Sequence, residues 1–419
     1  MIDAMFMETL RSAPRAFKVL VASALIENVG FGLIFPYLTI YMVKDIGISE
    51  PLAGVALAGY TMSGIPAMVL GGMLADRIGR RPVLLMSLGL MSITLAMYFF
   101  ASDFLTLFII ILADAFVGTL YMPAANAMIA DVIPPKDRPA AYSTLRIAWN
   151  TGLFIGPAIG MLIVSAWSIR ELFLFGSAIL GGAFVMNVFF IPETKPDSVV
   201  SEEVTFRKTM AVSGNRPFLM LCVMTGTLWF FISQWMSVLT IYMTEDLDFS
   251  LNTVGALFSV NGVMVVSLQL WVTSKMVRFK RSAVLLSGQL VAALGFSFLF
   301  FVGDLQGVLA CIVVMTLGEI VYMSIVGAII ADMSPEAERG LYMGFAGFIQ
   351  SLAMGAGLFF GMLFLDILDG DKMIWLIFGG FGAVTALGYP LFAKMIGPEK
   401  DNPAKYGHQP AKQELVAGK

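Results

Sequence analysis

The sequence predicts an all-α membrane protein, with twelve transmembrane helices in two parallel six-helix halves. Three observations predict it. Of 419 residues, 58% are hydrophobic and only 13% are charged, and the mean hydropathy is +0.85. A soluble chain of this length needs far more polar surface. Twelve apolar runs recur along the chain, each near the roughly 20 residues that a helix needs to cross the hydrocarbon core. An internal repeat then relates the first part of the chain to the second.

The runs fall at 17–43, 52–75, 83–101, 104–130, 141–166, 170–192, 217–243, 251–273, 283–302, 305–331, 341–366 and 373–396. Gly and Pro interrupt many of them, which helices in lipid tolerate. Lys and Arg set the expected orientation. Of the 26, 22 lie in the N-terminal segment and in the alternate segments on its side. The opposite loops carry only Lys44, Arg170 and Lys372, and Arg146 lies inside the fifth run. The positive-inside rule therefore expects a multi-pass protein of the cell membrane with both termini in the cytoplasm. The N-terminus lacks a signal-peptide cleavage pattern, so the first run is expected to be retained.

The longest polar segment between runs covers residues 192–217. The expected organisation is a six-helix half over 1–192, a cytoplasmic linker over 193–216, a second six-helix half over 217–396 and a cytoplasmic tail over 397–419. The repeat supports this division. "YMPAANAMIADVIPPKDR" at 121–138 and "YMSIVGAIIADMSPEAER" at 322–339 share eight of eighteen residues at an offset of 201. Shared apolar composition does not place Asp131 with Asp332, Pro134 with Pro335 and Arg138 with Arg339 in one frame. Six runs separate the copies, so they point the same way. Parallel six-helix repeats imply transport through a central cleft.

Composition excludes several classes. No basic patch for nucleic acid is visible. Cys222 and Cys311 lie in apolar runs and give no disulfide or metal pattern. The single histidine, His408, is in the polar tail, so an intramembrane histidine relay is excluded. The common ATPase, zinc-protease and lipase signatures are absent, and no nucleophile–base constellation argues for an enzyme. No cofactor or metal is expected.

The loop after the second run reads "GGMLADRIGRRP". It resembles the G-x-x-x-D-R-x-G-R-R signature of the major facilitator superfamily, through Gly72, Asp76, Arg77, Gly79, Arg80 and Arg81. The resemblance implies a latch that holds the two halves in the outward-open state. Gly72 permits close helix packing, Gly79 suits a tight turn, and Asp76 can meet an arginine or a helix N-terminus. The matching loop of the second half, "SKMVRFKRSAVL", keeps basic residues but is read with Met276 where Asp76 aligns, so the latch is expected to be one-sided. The fifth run contains "NTGLFIGPAIG", which resembles the superfamily's antiporter motif through Gly152, Gly156, Pro157 and Gly160. The alternative is generic small-residue packing. The eleventh run, "SLAMGAGLFFG", keeps glycines but no proline. The first run resembles that of drug–proton antiporters. The fourth departs from the family: Asp114 stands where an arginine is usual ahead of Gly118. Arg146 is the intramembrane cation that can substitute for it.

Four charged residues lie well inside runs: Glu27, Asp114, Arg146 and Glu319. A rise of about 1.5 Å per residue puts them about 15, 24, 7 and 18 Å from the cytoplasmic ends of their runs. Such groups cost roughly 2.5–3.5 kcal/mol each on insertion scales and are functional candidates by default. All four are assigned to proton coupling, Glu319 as proton carrier and Glu27 as a contact for substrate charge or for Arg146. The alternative for Glu27 is a static pair with Arg146. Asn28, Phe31, Trp149, Asn150, Gln234, Trp235, Asn261, Tyr322 and Gln350 are the candidate substrate contacts, with Tyr37, Trp229 and Gln269 as further polar or aromatic groups. They describe a wide, largely apolar cavity.

The expected function is secondary active transport by alternating access, as proton-coupled export of lipophilic or cationic small molecules. A metabolite symporter, a lipid translocase and a non-transporting sensor or scaffold are the alternatives. Expected partners are membrane lipids, protons and a small-molecule substrate, with no nucleic acid, and the chain is expected to be a monomer.

Overall fold

A computed structural model of the protein describes residues 13–134, 137–195, 210–335, 339–403 and 405. Among these residues there is no strand, and 12 helices are long and apolar enough to cross a membrane. The helices are α1 Arg15–Asp45, α2 Glu50–Ile78, α3 Arg80–Tyr98, α4 Phe104–Val132, α5 Arg138–Ala166 and α6 Ile169–Phe190. In the second repeat they are α7 Arg216–Asp246, α8 Leu251–Met276, α9 Arg281–Phe301, α10 Leu305–Met333, α11 Arg339–Ile367 and α12 Met373–Asp401.

The repeat detected at one segment extends through the chain. Asp103 caps α4 by accepting from the Thr106 N–H at 3.0 Å, and Asp304 caps α10 by accepting from the Gly307 N–H at 2.9 Å. A side-chain oxygen at this position satisfies one of the orphan donors of a helix start. Both α1 and α7 end in a π-helical turn, Tyr41–Asp45 and Tyr242–Asp246. α3 and α9 both begin at an arginine, Arg80 and Arg281. Every pair keeps the 201-residue spacing of the sequence repeat.

Compactness divides the chain in a way that the linker does not mark. One unit holds Met1–Glu203, Ile232–Val263 and Met354–Gly370, and the other holds Val204–Phe231, Met264–Ala353 and Asp371–Lys419. The first unit thus contains α1–α6 together with the end of α7, the start of α8 and the end of α11. The second contains the rest of α7–α12.

Candidate functional site

Within the first unit, Glu27 and Asp114 are both buried and lie close enough for their charges to interact. Tyr60 of α2 lies within the field of both. Asn28 donates to Glu27 Oε2 at 2.5 Å and to the Ala24 carbonyl at 3.1 Å. The Thr94 hydroxyl donates to Asp114 Oδ1 at 2.6 Å. Neither carboxyl group has an ion pair among the described residues. Two carboxyl groups away from water and without a cation cannot both be ionised cheaply. A cavity of about 20 Å³ beside Asp114 is lined also by Phe31, Tyr60, Met91 and Tyr98. It is room for roughly one water molecule.

The sequence placed Asp114 and Arg146 at different depths and let Arg146 reach towards Glu27. The structure gives Glu27 a different neighbour. Arg146 is exposed on α5, as are Trp149 and Asn150 beyond it. The expectation of a Glu27–Arg146 contact is therefore corrected: Asn28 satisfies the Glu27 carboxyl, and the charge that Glu27 feels is that of Asp114.

The glycines of the antiporter-like motif seat α5 on α1 beside this pair. A Cβ at Gly152 would lie 2.4 Å from the Leu25 carbonyl and 2.8 Å from Asn28 Cβ. At Gly156 it would lie 2.5 Å from the Gly32 carbonyl carbon and from the Leu33 nitrogen. At Gly160 it would lie 2.8 Å from the Leu33 carbonyl oxygen. These are backbone atoms, so no side-chain rotation makes room. The three glycines, one turn apart, form a stripe on which α1 lies. Gly255 of α8 continues the stack, because a Cβ there would lie 2.2 Å from the Tyr37 hydroxyl and 3.2 Å from the Pro157 carbonyl.

Further contacts inside the first unit tie α1 to α7 and α6 near the α1–α2 connection. The helix break at Ser237 (φ −126°, ψ −91°) frees the Met236 carbonyl, which accepts from the Thr39 hydroxyl at 2.5 Å. Lys44 donates to the Thr244 carbonyl at 2.6 Å and pairs with Glu245 at 3.1 Å. Arg170 pairs with Asp45 at 2.5 Å. The π-helical turns thus carry the charges that cross-link α1 with α7 and α6. π-Turns recur where a helix serves a function.

The glycine-rich loop between α2 and α3 forms a second cluster, and sequence reading found only part of it. Arg80 is 4% exposed. Its Nε donates to Asp131 at 2.7 Å, its Nη1 lies 3.2 Å from Asp76, and the Ala75 carbonyl accepts from it at 2.8 Å. Gly79 has φ +109°, a conformation that side chains rarely adopt, and a Cβ there would strike the Glu193 carboxylate. That carboxylate accepts from the N–H groups of Arg80 and Arg81 at the start of α3, and from those of Thr194 and Lys195. Gly72 has open space beside it rather than a neighbouring helix, and Arg77 contributes its carbonyl to Lys195.

The second unit repeats the cluster. Arg281 pairs with Asp332 and donates to the Lys400 carbonyl at 3.1 Å. Asp401 accepts from the Ser282 N–H at 2.8 Å and from its hydroxyl at 2.9 Å. These pairs fix the register of the two loops. Counted from Arg80 and Arg281, Asp76 corresponds to Val277, not Met276. The residues after the sixth and twelfth apolar runs, assigned to linker and tail, supply the carboxylates that cap α3 and α9. An acidic residue just past an apolar run on the Lys- and Arg-rich side was the available signal.

Partial burial works against the ionised form of Glu193, but the four N–H groups outweigh it and hold its carboxyl below the ordinary 4.5. A depressed folded-state pKa adds stability that is complete above the unfolded value and lost as pH falls through the folded one. Glu193→Gln is therefore expected to lower the stability at pH 7 by about 1 kcal/mol, as for other helix caps, and with it the melting temperature. Below pH 4.5 the parent and the variant should converge. Thermal unfolding of the purified protein across pH checks this; a constant gap down to pH 3 contradicts it.

The remaining candidates divide by burial. Gln234 and Tyr322, two of the candidate substrate contacts, are fully buried and bonded to neighbouring helices. Gln234 donates to the Gly357 carbonyl at 2.9 Å. Tyr322 donates to Thr225 at 3.2 Å, lies 2.7 Å from the Tyr389 hydroxyl, and through it joins Gln289. Paired hydroxyl and amide groups inside a helix bundle hold helices together. Trp235 is buried against Phe258. Phe31, Asn261, Glu319 and Gln350 are half-buried. Among the described residues there is no group of His, Cys, Asp and Glu that could hold a metal ion.

A family model described as Major Facilitator Superfamily matches residues 20–241 and 235–417. The chain is similar to the MFS-type transporter YttB of Bacillus subtilis (strain 168), at 27% identity over 366 residues, covering 85% of this chain and 88% of the relative. It is similar to the quinolone resistance protein NorA of Staphylococcus aureus (strain COL) at 22% identity, covering 80% of this chain and 84% of NorA. Among solved structures, a POT family transporter in complex with a thioalcohol-conjugated peptide superimposes with a TM-score of 0.77 at 17% identity, covering 93% of this chain and all of that one. A bacterial homologue of the human lysosomal transporter Spinster gives 0.75 at 14% identity, covering 91% of this chain and 96% of that one. At these identities the structures show the fold.

Proposed function

This chain belongs to the major facilitator superfamily, and we propose that it uses the fold to export lipophilic or cationic small molecules in exchange for protons. The carrying observation is the Glu27–Asp114 pair, buried beside the α1–α5 crossing. Export against a gradient needs a group that gains a proton in one step and loses it in another. Two interacting carboxyl groups that resist joint ionisation suit that demand. A cationic substrate nearby favours the ionised form, and protonation releases the cation; by linkage, this competition couples the two fluxes. Glu319 on α10, in the second unit, is a separate candidate for carrying the proton. The quinolone resistance named for NorA is consistent with a lipophilic substrate.

Alternating access requires that one end be sealed while the other opens. The contacts of Thr39, Lys44 and Gly255 supply such a seal at the α1–α2 end. The Asp76–Arg80–Asp131 cluster of the first unit is the candidate latch at the other. Both termini are assigned to the cytoplasm, following Lys and Arg. In intact cells a membrane-impermeant thiol reagent should then spare Ile78→Cys and Arg278→Cys and label Leu247→Cys. Labelling of Ile78→Cys from outside contradicts the orientation.

The function is tested in proteoliposomes with an imposed pH gradient and tetraphenylphosphonium as probe. Uphill movement that stops when an ionophore collapses the gradient supports the reading. Movement that ignores the gradient refutes proton coupling, and movement of the probe in the same direction as protons refutes exchange.

A further inference from the structure

We propose that the start of α1, the start of α3 and the end of α6 form a binding site for one anionic phospholipid. A groove of about 370 Å³ opens there, lined by Arg15, Ala16, Arg81 and residues 188–193. Two guanidinium groups stand at it. Arg15 is exposed, and its guanidinium lies 5.4 Å from the ring centre of Phe190. Arg81 is anchored by a 2.7 Å bond from Nη2 to the Val188 carbonyl, which leaves its other donors for a ligand. Planar guanidinium forks match phosphate oxygens better than an ammonium does.

One acidic residue lines the groove. Glu193 does not oppose an anion strongly, because its carboxylate is engaged by four backbone N–H groups at the start of α3 and in the following turn. The ligand chemistry is therefore a phosphate group with net positive surroundings.

The apolar wall selects a lipid as its carrier. Phe189 is 74% exposed and Phe190 48% exposed. They extend from the groove along the last turn of α6, a helix long and apolar enough to cross the membrane. Exposed, wholly apolar rings at the end of a membrane helix offer contact to acyl chains rather than to water. Basic pockets between membrane helices on the Lys- and Arg-rich side favour anionic headgroups. A free phosphate would use the arginines and leave both rings idle.

The test is native mass spectrometry of the full chain in detergent, titrated with phosphatidylglycerol and, separately, with phosphatidylcholine of the same acyl chains. One tightly bound phosphatidylglycerol is expected, with phosphatidylcholine at least about tenfold weaker. Arg15→Gln combined with Arg81→Gln should weaken phosphatidylglycerol by at least about tenfold and leave phosphatidylcholine unchanged. Arg15→Gln alone changes only an exposed side chain, so it keeps the test valid if the double variant does not fold; it should weaken the lipid by about fivefold. Lys372→Gln, at a basic residue outside the groove, should have no effect. Equal binding of the two lipids, or unchanged phosphatidylglycerol binding in Arg15→Gln, overturns the proposal. So does displacement of the lipid by millimolar inorganic phosphate, which would assign the groove to a free anion.

Discussion

Asp114→Asn and Glu27→Gln are each expected to abolish gradient-driven export while the protein still reaches the membrane. The first removes a titratable group and keeps a side chain of the same size, with an amide oxygen to accept from Thr94. The second keeps an acceptor for Asn28. What each loses is the proton and the charge. Coupling free energies of about 1–3 kcal/mol correspond to roughly 5–150-fold, so uphill accumulation should fall to background and facilitated, downhill movement should persist. Glu27→Gln should also weaken cationic substrates more than neutral ones, because Glu27 neighbours Asn28 and the α5 crossing. The measurement is accumulation in proteoliposomes with and without a pH gradient, for a cation and a neutral analogue. If both variants accumulate the cation like the parent at every pH, the pair is structural.

Gly156→Ala is expected to be among the most damaging single methyl additions in the first unit. The new carbon would meet the α1 backbone at 2.5 Å, so the helices must separate or tilt. Overpacking of this kind costs about 1–3 kcal/mol and at times more. The separation would also move Gly152 away from Asn28, the partner of Glu27. A lowered melting temperature and at least about tenfold slower transport should therefore appear together. Gly182→Ala is the control, since nothing lies within 4 Å of a Cβ there. It should behave like the parent. If Gly156→Ala matches Gly182→Ala in both readouts, the α1–α5 crossing has no functional weight.

The fold was legible because its determinants are linear. Hydropathy over about 20 residues finds a membrane helix without knowledge of its neighbours, and the repeat at 121–138 and 322–339 set the offset at which caps, π-turns and arginines recur. The motif glycines were legible for the same reason. Gly152, Gly156 and Gly160 lie one turn apart, so their shared face follows from helix geometry alone. What sequence could not give was which helices meet. Depth along a run separated Asp114 from Glu27 by about 9 Å, the span of two helix turns, and said nothing of their lateral approach. Gln234 and Tyr322 are candidate ligands because a polar group in an apolar run is costly. That cost is met equally well by Gly357 and Tyr389 on neighbouring helices. Glu193 and Asp401 were marked only by their place just past an apolar run, because the helix starts that they cap lie more than 100 residues away.

Exchange of a cation for protons at the Glu27–Asp114 pair should be visible as proton release on substrate binding. The purified chain, held in weak buffer with a pH indicator, is mixed with tetraphenylphosphonium near neutral pH. The parent protein should release protons on binding, and Glu27→Gln and Asp114→Asn should lose that release even where the cation still binds. Binding of the cation by the parent with no proton released, or the same release from both variants, would contradict it.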